Sequence, residues 1–165
     1  MKIKLTPELS YIIGLWKKRR ISEGIGIRGE GDIVNVFSSE VITKGLTTPQ
    51  KLLRDDKKTY FYHSAYRKFF QKVEKEQTER FKYLNEYAAS YLAGMFDSDG
   101  TIDVEKGILF FNKANKRDEM LLIRLGFTGV WKQGSLIIGR PKAFLRFIKD
   151  YVKIYKDHEI FKHIK

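Results

Sequence analysis

The chain has no cysteine, which excludes disulfides, thiol catalysis and cysteine-based zinc sites together. Histidine is almost as scarce: His63, His158 and His163 are too scattered to suggest a metal cluster. No apolar run approaches the roughly 20 residues needed to cross a bilayer, so no membrane partner is expected. The N-terminus, Met1-Lys2-Ile3-Lys4-Leu5, lacks the apolar stretch of a secretory signal, and a cytoplasmic protein is expected. Asn and Gln are rare against 32% charged residues, a weak thermophile signature. What is present rules out disorder, since 42% of residues are apolar and 14% aromatic. A length of 165 residues suffices for one domain or two tightly joined halves with a proper core.

The net charge of +12 is the main indication of a partner. A large positive excess favours nucleic acid, because each neutralised phosphate releases a condensed counterion. The alternative is a generally basic surface with no nucleic-acid role. The excess is uneven: residues 1–83 hold 18 basic against 10 acidic side chains, and residues 84–165 hold 14 against 10.

Hydrophobic periodicity gives one order of elements twice. In the first half a helix is expected from Pro7 to about Lys18, strands over 21–28 and 32–38 joined at Gly29-Glu30-Gly31, and a short helix near 39–45. A hairpin over 50–54 and 58–63 and an amphipathic helix over 64–82 complete it. The second half predicts a helix over 84–98, strands 101–105 and 108–113, a helix 116–125, a hairpin 129–133 and 135–139, and a helix 142–161. Identities follow the pattern. Ser10-Tyr11-Ile12-Ile13-Gly14-Leu15-Trp16 matches Ser90-Tyr91-Leu92-Ala93-Gly94-Met95-Phe96 at an offset of 80, and two further segments match in order: Lys44-Gly45-Leu46-Thr47 with Leu125-Gly126-Phe127-Thr128, and Ala65–Phe70 with Ala143–Ile148. Two αββαββα repeats, 1–83 and 84–165, are therefore expected, forming an α+β monomer with an internal pseudo-dimer. Ser10/Gly14 and Ser90/Gly94 are small pairs at i, i+4 that let two helices approach closely, so they are the natural seam.

One segment breaks a local rule. Leu92-Ala93-Gly94-Met95-Phe96-Asp97-Ser98-Asp99-Gly100 ends a helix with two carboxylates, where the helix dipole favours cations. Such violations tend to mark functional sites, and a divalent metal at the helix end would account for this one. The nine residues closely resemble the motif that names the LAGLIDADG homing endonucleases, and the doubled order of elements is similar to the single-chain members of that family. The resemblance implies a saddle of two antiparallel sheets straddling double-stranded DNA, with two motif helices packed along a pseudo-twofold axis. It implies that Asp99, the eighth motif residue, binds a divalent metal, with Gly100 as the carbonyl donor, and that the chemistry is Mg²⁺- or Mn²⁺-assisted phosphodiester hydrolysis. Asp97, two residues earlier, is expected to be structural.

The first repeat departs at the decisive position. Aligned on Gly14, the residues facing Asp97-Ser98-Asp99-Gly100 are Lys17-Lys18-Arg19-Arg20. Four cations satisfy the dipole, so this end is structurally ordinary and lacks the acid; Glu23 is the nearest carboxylate, on a strand expected to carry it away. Three outcomes stay open: nicking of one strand through Asp99, binding of DNA or structured intron RNA with Arg19 and Arg20 on phosphates, or completion of the site by an acid from another chain.

Candidate nucleic-acid contacts follow from strand alternation. Ile21, Ile25 and Ile27 share one face, leaving Ser22, Gly24, Gly26 and Arg28 on the other. Ile102 and Val104 are expected to face the core. The second hairpins offer Lys51, Arg54, Lys57 and Lys58, and Lys132, Arg140 and Lys142. On the predicted last helix, Lys142, Arg146, Lys149, Lys153 and Lys156 form one basic stripe opposite Phe144, Ile148, Tyr151, Val152 and Tyr155; a solvated face is the alternative. Members of the family often carry a lysine near here that reaches the active site, which makes Lys156 and then Lys153 the candidates for stabilising transition-state charge.

Overall fold

The computed structural model describes residues 2–76 and 79–162; His163, and residues 77–78 within the predicted 64–82 helix, lie outside them. Helix α1, Pro7–Arg19, starts where the Thr6 hydroxyl accepts the Leu9 N–H at 3.1 Å and ends on Lys17, Lys18 and Arg19. Strand β1 is Ile25–Arg28, followed by α2, Asp32–Thr43, then β2, Leu53–Asp55, and β3, Lys58–Phe61. Helix α3 covers Ser64–Glu76, and a 3₁₀ turn, Glu79–Lys82, leads to α4, Glu86–Asp99. Asn85 caps α4 by accepting the Ala88 N–H at 2.9 Å. Strands β4, Gly100–Asp103, and β5, Ile108–Phe111, come next, then α5, Lys116–Leu125. The hairpin β6, Val130–Lys132, and β7, Ser135–Ile137, precedes α6, Pro141–Ile148, and the short α7, Glu159–Lys162.

Helices α1 and α4 form the centre and pack on each other more extensively than any other pair of elements. From Leu9 to Trp16 and from Ala88 to Ser98 every residue is buried, as expected for helices apolar on all sides. The backbones meet at two glycines. A Cβ on Gly14 would run into the Tyr91 carbonyl oxygen, and one on Gly94 into that of Tyr11. Ser10 and Ser90 are buried beside this crossing.

Each side of the central pair carries an antiparallel sheet. One is ordered β1-β3-β2, with Ile25 opposite Phe61. The other is ordered β4-β5-β7-β6, with Gly100 opposite Phe111. The architecture is mixed α+β. Its second-half core is aromatic, with Phe96, Phe111, Phe127 and Phe144 meeting edge to face. No helix among the described residues is long and apolar enough to cross a membrane.

Several elements differ from expectation. The predicted strand 32–38 is the first part of α2: Gly31, at φ 71°, ends the extended run, and Ile33, Val34, Phe37 and Val41 then bury one helical face. β-branched residues that alternate over a few positions fit either period, and packing decided for the helix. The first sheet consequently has three strands. The predicted strand 21–28 shrinks to 25–28 because Gly24 turns the chain at φ 51°. Val104 is exposed, lying in the turn beyond β4 rather than facing the core.

The predicted helix 142–161 stops at Ile148. The N–H groups of Lys153, Ile154 and Tyr155 that a continuing helix would have used are directed instead at the Asp97 carboxylate, at 2.7, 3.2 and 3.3 Å. The basic stripe from Lys142 to Lys156 therefore does not exist as one face.

Gly14→Ala tests the crossing. Alanine favours an ordinary helix interior by about 1 kcal/mol, but here the added carbon forces the helices apart. A net loss of about 2 kcal/mol is expected in urea unfolding; a stabilised variant would show that the contact yields.

Candidate functional site

The C-terminal ends of α1 and α4 lie side by side, and their last turns are cross-linked in a reciprocal way. Tyr11 of α1 donates its hydroxyl to Asp97 of α4 at 2.5 Å, while Lys17 of α1 donates to the Tyr91 hydroxyl of α4 at 3.1 Å. Positions 17 and 97 match in the internal alignment, so an acid and a base occupy equivalent places. Asp97 is 7% exposed and takes four hydrogen bonds, from Tyr11 and from the three N–H groups of the 153–155 segment. Burial still pushes its carboxyl above the usual range, against those bonds. Asp97 is structural: it anchors the C-terminal segment to the central helices.

The α1 end is not an open row of cations. Lys17 reaches Asp118 at 2.8 Å, and Lys18 holds the other Asp118 oxygen and the Lys113 carbonyl. The side chains are 6%, 6% and 1% exposed, a buried triad joining the two halves. Asp118 also closes a capping box with Asn115 at the start of α5. Burial works against its ionisation, but Lys17 and Lys18 outweigh it and hold the carboxyl below the ordinary value. Burial likewise works against the Lys17 charge, and Tyr91 and Asp118 together raise its pKa above the usual lysine range.

Beyond these contacts the two helix ends open into a cleft of about 460 Å³. Among the described residues Asp99 is the sole carboxylate lining it, and Lys18, Arg19, Arg20, Arg28 and Lys113 surround it. Asp99 is half-buried. Its Oδ2 accepts the Lys113 N–H at 2.8 Å, and its carbonyl accepts Asn112 from backbone and side chain at 3.0 and 2.6 Å. Burial raises its pKa, opposed by the Lys113 N–H and the charges of Lys18 and Arg19. Arg19 lies across from it, with Nε donating to the Ser98 carbonyl at 2.8 Å and Nη1 directed at the Arg28 carbonyl at 3.4 Å.

A magnesium-type cation is held by one or two carboxylates together with substrate phosphates and water. The cleft offers the Asp99 carboxylate, and among the described residues no three His, Cys, Asp or Glu side chains group to hold a metal by themselves. Gly100, the expected carbonyl ligand, accepts the Tyr155 hydroxyl at 2.8 Å. One Asp99 oxygen is already engaged, and the neighbouring charges are positive. The two acids of the motif thus have tertiary partners: Asp97 through both oxygens and Asp99 through one.

The other sequence candidates are dispersed. Lys153 points to Glu40 at 3.7 Å and over the Tyr11 ring, and Lys156 is exposed; neither lines the Asp99 cleft. Arg20 lies over Trp16 and pairs with Glu74 at 2.7 Å. Glu23 pairs with Lys58 at 3.1 Å, away from the cleft. Lys51, Arg54, Lys132 and Lys142 are exposed on or beside the second hairpins, and Arg140, at φ 50°, precedes α6 and donates to the Gly126 carbonyl at 3.3 Å. Sequence reasoning missed Asn112, Lys113 and Asp118. Only Asp118 carried a signal, its place three residues after Asn115.

No family model matches the chain, and no curated protein is similar in sequence. Solved structures are similar in fold. Mesophilic variants of the homing endonuclease I-DmoI superpose with a TM-score of 0.56 at 12% identity, over 88% of this chain and 96% of that one. The fold is homing-endonuclease-like. I-DmoI in complex with DNA and Mn matches at 0.56 and 13% over 86% and 94% of the two chains, and its complex with DNA and Ca at 0.58 and 12% over 92% and 91%.

The buried triad makes a pH-dependent prediction. Asp118→Asn leaves Lys17 and Lys18 buried without a counter-charge and is expected to cost about 3–5 kcal/mol at neutral pH. Because the folded Asp118 pKa is depressed, its contribution is complete above the ordinary value of about 3.9 and is lost as pH falls through the folded one. Asp97, with a raised folded pKa, acts in the opposite sense. Urea unfolding between pH 7 and 3 should show the acid limb shrinking in Asp118→Asn; an unchanged limb would remove the triad from the account.

Proposed function

We propose that the chain is a LAGLIDADG-type protein of two repeats, 1–83 and 84–165, that binds double-stranded DNA as a monomer, with the Asp99 end directed at the sugar–phosphate backbone. The observation that carries this is the cleft itself: the ends of both central helices open together, and five cations surround one carboxylate. The net charge of +12 and the exposed bases of both second hairpins support the same partner. So does the similarity in fold to I-DmoI, which has been solved with DNA. Arg19, Arg28, Lys51, Arg54, Lys132 and Lys142 are the proposed contacts. Arg20, Lys58 and Arg140 are already engaged with Glu74, Glu23 and Gly126 and serve at most in part.

Binding without double-strand cleavage is the reading the donors favour, since a second acid is missing and the other charged side chains of the cleft are positive. The competing reading is nicking of one strand through Asp99. It is favoured by the intact motif and by Asp99 Oδ1, which makes no hydrogen bond among the described residues.

Incubating a randomised duplex library and a supercoiled plasmid with Mg²⁺ or Mn²⁺ separates the two. Duplex retention that weakens steeply with salt is expected, with no cut from wild type or Asp99→Asn. Nicks made by wild type and absent from Asp99→Asn would establish the competing reading. Failure to retain duplex at low salt, or stronger retention of structured RNA, would overturn the proposed partner.

A further inference from the structure

We propose that the Asp99 cleft is a phosphate seat that works without a divalent cation, with the Arg19 guanidinium standing where a second carboxylate would otherwise be. This rests on, and deepens, the DNA-binding reading.

Arg19 and Asp99 each lie five residues beyond the glycine at which their helix crosses its partner, so the crossing delivers them to the same cleft. Arg19 is oriented there. Its Nε is held by the Ser98 carbonyl and its Nη1 is directed to the Arg28 carbonyl, which fixes the plane of the guanidinium while Nη2 has no hydrogen bond among the described residues. A planar fork held this way is suited to the oxygens of a phosphate.

The positive charges of the cleft are not equally available. Lys18 is committed to Asp118 and Arg20 to Glu74. Arg19, Arg28 and Lys113 make no ion pair among the described residues, so three uncommitted cations face one carboxylate.

An oxyanion beside Arg19 meets the three positive side chains of Arg19, Arg28 and Lys113, whereas a hydrated cation at Asp99 would face all three. Asp99 then serves mainly to hold the Lys113 backbone, and with it one wall of the cleft. Phosphate chemistry is common to an internal phosphodiester and to a strand end, and the test distinguishes them.

The experiment uses the full chain in EDTA, and then in Mg²⁺ at matched ionic strength. Inorganic phosphate should shift the amide resonances of Ser98, Asp99 and Lys113. Duplexes carrying a 5′-phosphate or a 5′-hydroxyl should bind equally well in both buffers if an internal phosphodiester occupies the seat; preference for the 5′-phosphate assigns a strand end. Arg19→Ala and Arg28→Ala should each weaken duplex binding about tenfold and reduce the salt slope by about one. Arg28→Ala removes no side-chain hydrogen bond, so it carries the test if Arg19→Ala disturbs the fold.

Shifts that appear only with Mg²⁺, or Mn²⁺ broadening centred on Asp99, would overturn the seat. Duplex binding indifferent to both substitutions would overturn the seat and leave the DNA reading standing. Phosphate shifts without any duplex binding would do the reverse.

Discussion

The backbone-to-backbone crossing of α1 and α4 is the constraint on which the rest depends. Gly14 and Gly94 let each helix place its backbone against a carbonyl of the other, at Tyr91 and Tyr11. Because the glycines hold equivalent places, a residue three positions before the glycine on one helix meets the residue three positions after it on the other, and the two helix ends come together. Tyr11 therefore reaches Asp97, Tyr91 reaches Lys17, and Arg19 comes to the backbone beside Asp99. A side chain at either glycine would separate the helix ends and dissolve the cleft with them.

Electrostatics at those ends are settled across the molecule rather than within each helix. Two carboxylates at a helix C-terminus are unfavourable by the dipole argument, yet Asp97 is enclosed by N–H groups from the C-terminal segment and Asp99 by the N–H of Lys113. The α1 end obeys the dipole rule, but Lys17 and Lys18 are spent on Asp118. The result is two buried, saturated clusters flanking a cleft whose uncommitted charge is positive.

The asymmetry of the sheets follows the same division. The second half supplies β5, and the chain leaving it places Asn112 and Lys113 against Asp99. In the first half the corresponding stretch is taken into α2, and Arg19 leans instead on the Ser98 carbonyl of the other half and on the Arg28 carbonyl of its own.

From the amino-acid order alone one could read the helical centre, the small-residue crossing, the hairpins of the second half and the mismatch of Arg19 with Asp99. Those depend on local periodicity, on glycine and turn chemistry, and on comparing one half with the other. Three things were decided only in tertiary structure: that Ile33 to Val41 bury a helical face, that α6 stops at Ile148, and that Lys17, Lys18 and Asp118 close on one another. In each case the deciding partner is far away in sequence. The Asp97 carboxylate competes for the N–H groups that would have extended α6, and Asp118 offers two buried lysines a counter-charge from about a hundred residues further along the chain. Local propensity carries no information about such long-range competition, because its energy exists only once the chain has folded back on itself.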